Sequence, residues 1–163
     1  MNLSELGIKA RAASVLLAKM NVETKNKALI ACADALVKES NSILEANAKD
    51  VLIGREKGMN EGLVDRLMLT EERIKGIAEG LEQVAALDDP VGEVLDMKKR
   101  PNGLLIGKKR VPLGVVGMIY EARPNVTPDA FALCFKSGNA VILRGGSDAI
   151  NSNIAIVKVL QDT

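Results

Sequence analysis

The sequence predicts an α/β fold, in which a layer of helices covers the start of a parallel sheet and a β-hairpin protrudes. Three observations support this prediction. Apolar residues recur at helical spacing from residue 6 to residue 84, a Pro-Asn-Gly turn at 101–103 joins two strand-like segments, and strand and helix patterns alternate after residue 112. Buried strands joined by a helix are typical of a parallel sheet with a right-handed crossover.

The first half of the chain is predicted to be helical. Asn2-Leu-Ser-Glu5 resembles a capping box. Further helices are expected after Asn21, over 43–51, in a short segment at 60–67, and from Thr70 to the Asp88-Asp89-Pro90 stop, with a loop bracketed by Gly54 and Gly58. The apolar positions at helical spacing are Leu6, Ala10, Ala13, Leu16 and Leu17, then Ala28, Leu29, Cys32 and Leu36, then Ile74, Ile77, Leu81 and Val84.

Residues 92–111 are predicted to form a β-hairpin around the Gly103 turn. Six cations flank the turn: Lys98, Lys99, Arg100, Lys108, Lys109 and Arg110. These side chains either form a patch for an anionic ligand or are solvated strand residues that protect an exposed edge. Because an isolated hairpin is only marginally stable, we expect it to pack on a partner subunit or on further protein.

The segment after residue 112 is predicted to be strand–helix–strand–helix, as at the start of a Rossmann-like sheet. Residues 114–120 and 140–143 have the apolar character of buried strands. Thr127-Pro128-Asp129 is predicted to start the helix between them, with Thr127 as its cap, and a last helix is expected from about Asp148. Ligands of such sheets collect at the carboxyl ends of the strands, where the polar loops EARPN and RGGS lie.

Composition excludes several classes of function. The chain has no His, which removes His-dependent acid–base catalysis and His-ligated zinc, and no metal site is predicted. A net charge of +1 with 2% aromatic residues argues against nucleic-acid and anionic-membrane partners. The two cysteines, Cys32 and Cys134, lack paired spacing and a neighbouring base, so we expect both to be structural. The expected location is the cytoplasm.

Two loops carry the candidate site residues. In the second loop, Arg144 adds a positive charge, Gly145 and Gly146 permit positive φ and close approach of a ligand, and Ser147 opens a helix whose free N–H groups can hold a phosphate. An ordinary tight turn with a solvated Arg explains the same residues equally well.

In the first loop, the Asn125 amide can donate a hydrogen bond to an oxyanion, or it is simply a turn residue favoured after proline. Arg123 can hold a carboxylate or a phosphate by a two-pronged contact. Glu121 is either part of that site or the ion-pair partner of Arg123.

Residues 112–149, PLGVVGMIYEARPNVTPDAFALCFKSGNAVILRGGSDA, resemble the aldehyde dehydrogenase superfamily, and within it the gamma-glutamyl phosphate reductase family. The strings ILEANAKD, LVDRLMLTEERI and DDPVGEV agree, so the resemblance extends over essentially all 163 residues. It implies an aldehyde dehydrogenase-type cofactor domain and NADPH-dependent reduction of L-glutamate 5-phosphate to L-glutamate 5-semialdehyde, a step of proline biosynthesis. A cysteine thiolate carries the acyl group in that reaction.

The resemblance also implies roles for individual residues. Asn125 matches the asparagine that holds the oxyanion, although the shorter spacing to Gly138 leaves Arg123 as the alternative match. Arg144 falls where the superfamily has a lysine at the adenosine ribose. Ser147 lies near the position of the glutamate found in NAD-preferring members, and this combination favours NADP.

The expected division is an N-terminal helical part at 1–91, an oligomerisation hairpin at 92–111 and the first half of the NADP-binding sheet at 112–163. The resemblance places the nucleophile in a later domain, so we expect a homo-oligomeric enzyme of which these residues alone are inactive. Two alternatives remain: a non-catalytic interaction module that self-associates through 92–111, and a superfamily member with another substrate.

Overall fold

The computed structural model describes residues 2–163 and has the α/β architecture that the sequence predicts. Within these residues, seven α-helices, one 3₁₀ turn and four strands follow in the order α1 Leu3–Leu17, α2 Val22–Lys38, α3 Ser40–Glu56, α4 Glu61–Leu67, α5 Glu71–Ala86, β1 Val94–Lys99, β2 Leu105–Lys109, β3 Val115–Ile119, α6 Val126–Lys136, β4 Ala140–Arg144, the 3₁₀ turn Ser147–Ala149, and α7 Ile150–Asp162. No helix within these residues combines the length and the apolar character that crossing a membrane requires.

The helix starts are largely those predicted from cap residues. Asn2 and Glu5 form the expected capping box, and Asn21 and Thr70 accept hydrogen bonds from the first turns of α2 and α5. The apolar stripe of α1 is only partly correct, because Ala13 and Leu16 are exposed and Ser14 is the buried residue of that helix.

The core lies where α2 and α5 pack against α3, α6 and α7. Its buried side chains come mainly from the predicted stripes of α2 and α5, and Ile43, Ala132 and Ile156 complete it from the other helices. Cys32 belongs to this core and Cys134 is also buried, which confirms that both are packing residues.

Three boundaries differ from the prediction. Helix α3 is longer than 43–51: it runs from Ser40 to Glu56 and includes Gly54, so the loop begins only at Lys57. Helix α6 begins at Val126, so Thr127 is not its cap. A 3₁₀ turn occupies 147–149, and the last α-helix starts at Ile150 instead of Asp148. Long-range contacts of buried side chains, described below, explain the last two differences.

The predicted hairpin is present. Strands β1 and β2 pair antiparallel, from Lys99 opposite Leu105 to Val94 opposite Lys109, and Gly103 takes the positive φ of the turn. Of the flanking cations, Lys98 forms an ion pair with Asp96 along β1, and Arg110 forms one with Glu93 across the base of the hairpin. These pairs favour the interpretation of solvated strand residues.

Strands β3 and β4 form a separate parallel pair, and α6 connects them as the sequence predicts. The register joins Val115 to Ala140 and Ile119 to Arg144, and the Tyr120 amide donates to the Arg144 carbonyl just beyond it. The loops after β3 and β4 therefore leave the same end of the sheet.

A buried charge network ties the N-terminal helices to α6. The Lys25 ammonium, fully buried, lies 2.7 Å from Asp89 Oδ2 and also donates to the Lys136 carbonyl. Lys136 donates to Asn26 Oδ1 and to the Ala85 carbonyl, and burial lowers the pKa of its ammonium. Burial acts to raise the pKa of Asp89, but hydrogen bonds from Lys25 and the Val91 amide prevail and lower it. The Asp89-Pro90 segment that ends α5 therefore also anchors α2, through the ion pair of Asp89 with Lys25.

We predict that Lys25→Met lowers the free energy of unfolding by about 3 kcal/mol, because it leaves the Asp89 carboxylate without its buried partner. Lys27→Met is the matched control: its ion pair with Glu23 is exposed, so the expected change is below about 0.5 kcal/mol. Urea unfolding followed by circular dichroism measures both. Equal destabilisation by the two changes would contradict the anchoring role of Lys25.

Candidate functional site at the rim of the parallel strands

The two loops that carry the candidate residues pack directly against each other. An added Cβ on Gly146 would lie 2.8 Å from the Ala122 backbone nitrogen and 3.2 Å from the Glu121 carbonyl carbon. On Gly145 it would lie 2.4 Å from Asn153 Nδ2 and 3.1 Å from the Tyr120 ring. Neither glycine has a positive φ, so that part of the prediction is wrong. Their small size is needed for contact between protein segments.

A buried hydrogen-bond chain fixes the geometry of the first loop. Thr127, fully buried, donates through Oγ1 to Asn153 Oδ1 at 2.8 Å and lies 2.7 Å from the Tyr120 hydroxyl. With its own proton directed to Asn153, Thr127 accepts from Tyr120. This chain explains why Thr127 does not cap α6. Tyr120, expected only to pack at the strand end, also links β3 to α6 and α7.

The amino end of α7 is already occupied by a carboxylate. Asp50 accepts from the amides of Asn151 and Ser152 and from both of their side chains, at 2.6 to 3.2 Å. Asp50 lies on α3, about a hundred residues away in sequence, and it is buried. The prediction that free N–H groups at this helix N-terminus hold a phosphate is therefore wrong for the Asn151 and Ser152 amides, because an anionic side chain of the protein already accepts their hydrogen bonds.

Arg144 and the first loop open into different pockets. Arg144 and Gly145 border a pocket of about 420 Å³ between the end of β4 and α7, where Lys158 is a second cation. Within residues 2–163, Arg144 makes no ion pair shorter than 4 Å. Ser147 is exposed at the start of the 3₁₀ turn and makes no capping bond.

Arg123 and Asn125 border a second pocket of about 580 Å³, which α4 and α5 close from the other side. Glu121 Oε2 forms an ion pair with Arg123 Nε at 3.3 Å but lacks the alignment that a hydrogen bond requires, so this buried Nε has no hydrogen-bond partner among the described residues. Asn125 occupies the N-cap position of α6, is exposed, and makes no capping bond with its side chain. Its side-chain amide contacts the Asp129 carboxyl, and since an amide group has two N–H donors, one remains available to a ligand.

Sequence reasoning missed the opposite wall of this second pocket, formed by Asp65, Arg66 and Arg73 around the α4–α5 turn. The dense charge of LVDRLMLTEER was a usable signal, but the pattern does not show that these residues face Asn125. Asp129 was taken only as a helix-start acid. It also borders the pocket, where burial raises the pKa of its carboxyl and the Asn125 amide partly offsets that change.

Neither cysteine has the properties of a nucleophile. Cys32 and Cys134 are buried, and burial raises the pKa of both thiols, so the thiolate is disfavoured at neutral pH. A thiol at this site would have to come from outside the described residues.

We predict that Gly146→Ala destabilises the protein by about 1–3 kcal/mol, because the new methyl group would lie against the Ala122 backbone. Gly117→Ala on β3 is the matched control: its Cβ would meet nothing within 4 Å, and we expect a change below about 0.5 kcal/mol. Thermal unfolding measures both. Full tolerance of Gly146→Ala would show that the two loops are not in contact.

Comparison with known proteins identifies the family, although no protein-family model matches the sequence. A gamma-glutamyl phosphate reductase of Lachnospira eligens is 60% identical over 159 residues, which are 98% of this chain and 38% of that relative. The crystal structure of the Thermotoga maritima gamma-glutamyl phosphate reductase superposes with a TM-score of 0.95 at 47% identity, over 99% of this chain and 39% of that one.

A probable aldehyde dehydrogenase of Listeria monocytogenes shares the fold, with a TM-score of 0.67 at 17% identity over 94% of this chain and 31% of its own. The chain thus spans less than two fifths of the length of the curated relative. By sequence and by fold, it belongs to the gamma-glutamyl phosphate reductase family and corresponds to the N-terminal part of its members.

Proposed function

We propose that this chain supplies the oxyanion-holding and dinucleotide-binding part of a cytoplasmic enzyme of proline biosynthesis. The reaction converts L-glutamate 5-phosphate, NADPH and a proton to L-glutamate 5-semialdehyde, NADP⁺ and phosphate. The observation that carries the proposal is the match to gamma-glutamyl phosphate reductases over 98% of the chain. The placement of Asn125 and Arg144 in adjoining loops at one end of a parallel pair supports it.

In this proposal Asn125 donates its amide hydrogen to the carbonyl oxygen of the acyl group. Negative charge grows on that oxygen when a thiolate attacks the carbonyl carbon, and it is lost when the C=O bond re-forms and phosphate leaves. A single donor at such a position contributes roughly 3–4 kcal/mol to transition-state stabilisation. The thiolate comes from beyond residues 1–163, because the environments of Cys32 and Cys134 disfavour ionisation. Residues 1–163 alone are therefore inactive.

The pocket beside Arg144 fits the phosphate-bearing ribose of NADP, and the cofactor when bound supplies the hydride. Arg144 makes no ion pair within residues 2–163, and Lys158 adds a second cation. Because Asp50 already caps α7, the positive charge for a 2′-phosphate comes from these two side chains and not from the helix end. Ser147 is exposed and offers a neutral hydroxyl.

We also propose that the hairpin at 92–111 contacts a second copy of the protein. Apolar side chains of both strands and of the turn are about half exposed or more, among them Leu95, Met97, Leu104, Leu105 and Ile106. Exposed apolar side chains in such number are typical of an interface. Sedimentation velocity tests this proposal: Leu105→Lys with Ile106→Lys should shift the protein to a smaller species, and an unchanged distribution would contradict it.

The activity is tested by phosphate-dependent reduction of NADP⁺ with L-glutamate 5-semialdehyde, using the complete gene product and residues 1–163 side by side. We expect turnover from the complete gene product only. Turnover by residues 1–163 would contradict the missing thiolate. No preference for the semialdehyde over simple aldehydes would favour another superfamily substrate, and no turnover from either sample would favour the non-catalytic module.

We predict that Arg144→Glu in the complete gene product raises the Kd of NADPH at least tenfold while it changes the KM of the semialdehyde far less, because it places a carboxylate where the ribose phosphate binds. Arg55→Glu, an equal charge change on α3 outside both pockets, should leave both values within about twofold. Calorimetry with NADPH and NADH gives the affinities. Equal effects of Arg144→Glu on cofactor and semialdehyde would contradict the assignment.

A further inference from the structure

The pocket that contains Asn125 has two walls of different origin. The loop after β3 and the first turn of α6 contribute Arg123, Asn125 and Asp129, while α4 and α5 contribute Arg66 and Gly76. Its volume of about 580 Å³ lies within the range of small-molecule sites. An amino acid therefore fits in the pocket together with water.

Most of the charges around this pocket already have partners. Arg73 lies 2.8 Å from Asp65 through Nη2, and its Nη1 donates to the carbonyls of Met68 and Asp65. This cluster holds the turn between α4 and α5. Arg123 has Glu121 beside it.

Two side chains of opposite charge at the pocket have no ion-pair partner. Arg66, in the last turn of α4, and Asp129, in the first turn of α6, are both exposed and form no ion pair within residues 2–163; the Asp129 carboxyl has only the Asn125 side chain as a polar partner. They belong to different walls of the same cavity. A cation and an anion that both lack an ion-pair partner in one pocket match a ligand that carries both charges, such as the zwitterionic end of an amino acid.

We propose that this pocket binds the amino-acid end of the substrate, with Arg66 contacting the α-carboxylate, Asp129 contacting the α-ammonium group, and the reacting end directed to Asn125. The inference rests on the proposed function and adds to it the residues that distinguish a glutamyl substrate from a simple aldehyde.

The state of Asp129 agrees with this role. The residue as a whole is exposed, yet partial burial of its carboxyl raises the pKa, and the hydrogen bond with the Asn125 side chain offsets only part of that change. A ligand ammonium would supply the missing positive charge. Gly76 also agrees: an added Cβ there would meet nothing within 4 Å, so this position of α5 leaves the pocket open.

The test compares aldehydes in the complete gene product. The measured quantity is the ratio of kcat/KM for L-glutamate 5-semialdehyde to kcat/KM for butanal, which lacks both charged groups. We expect Arg66→Gln and Asp129→Asn each to lower this ratio about tenfold or more, because each removes one charged contact that only the semialdehyde makes. Arg55→Gln, in the last turn of α3 and outside the pocket, is the matched control and should leave the ratio unchanged.

A second variant tests the pocket without removing a charge. Gly76→Leu would place a side chain into the open space and should also lower the ratio, while the unfolding temperature is maintained because leucine favours a helix more than glycine does. Gly7→Leu, a helical glycine of α1 with equally open space, is its control.

The outcomes separate this inference from the function on which it rests. Absence of activity toward every aldehyde in the unmodified protein would contradict the proposed function. Activity with an unchanged ratio in Arg66→Gln, Asp129→Asn and Gly76→Leu would overturn the pocket assignment alone.

Discussion

The contact between the two loops at the end of the parallel strands is the constraint on which the candidate site depends. The register of β3 and β4 brings Ile119 opposite Arg144. Because Gly146 has no side chain, the second loop can pack against the Ala122 backbone. Without this contact, Asn125 and Arg144 would belong to unrelated turns. A hydrogen bond between the buried side chains of Thr127 and Asn153 stabilises the same region.

This contact also separates the site into two pockets with different chemistry. The β4–α7 side offers two cations and no acidic side chain at its edge, which suits a phosphorylated ribose. The side between the first loop and α4–α5 contains charges of both signs, which suits a small amphoteric substrate. Asn125 borders the second pocket, where the acyl group of such a substrate would react. Long-range contacts hold this arrangement in place: Asp50 of α3 accepts hydrogen bonds from the first turn of α7, and Lys25 forms an ion pair with Asp89.

Local patterns predicted much of the fold and less of the site. The Asn2 capping box, the Gly103 hairpin and the α6 crossover follow from short-range rules, and all three are present. The errors occur where a buried polar side chain finds a partner far along the chain. Thr127 contacts Asn153 instead of its own helix, and Asp50 caps α7 across a hundred residues. The placement of Arg66 and Asp129 at one pocket is of the same kind, because no spacing rule connects α4 with α6.

The most direct test of the account is a nuclear Overhauser measurement on isotope-labelled protein, between the Ala122 amide proton and the Gly146 α-protons. The close approach of these two segments predicts a strong cross-peak, accompanied by the cross-strand contacts expected for parallel pairing of Val116 with Val141. Observation of the strand contacts without the Ala122–Gly146 cross-peak would show that the loops diverge after the sheet. The rim would then not hold Asn125 and Arg144 in one site.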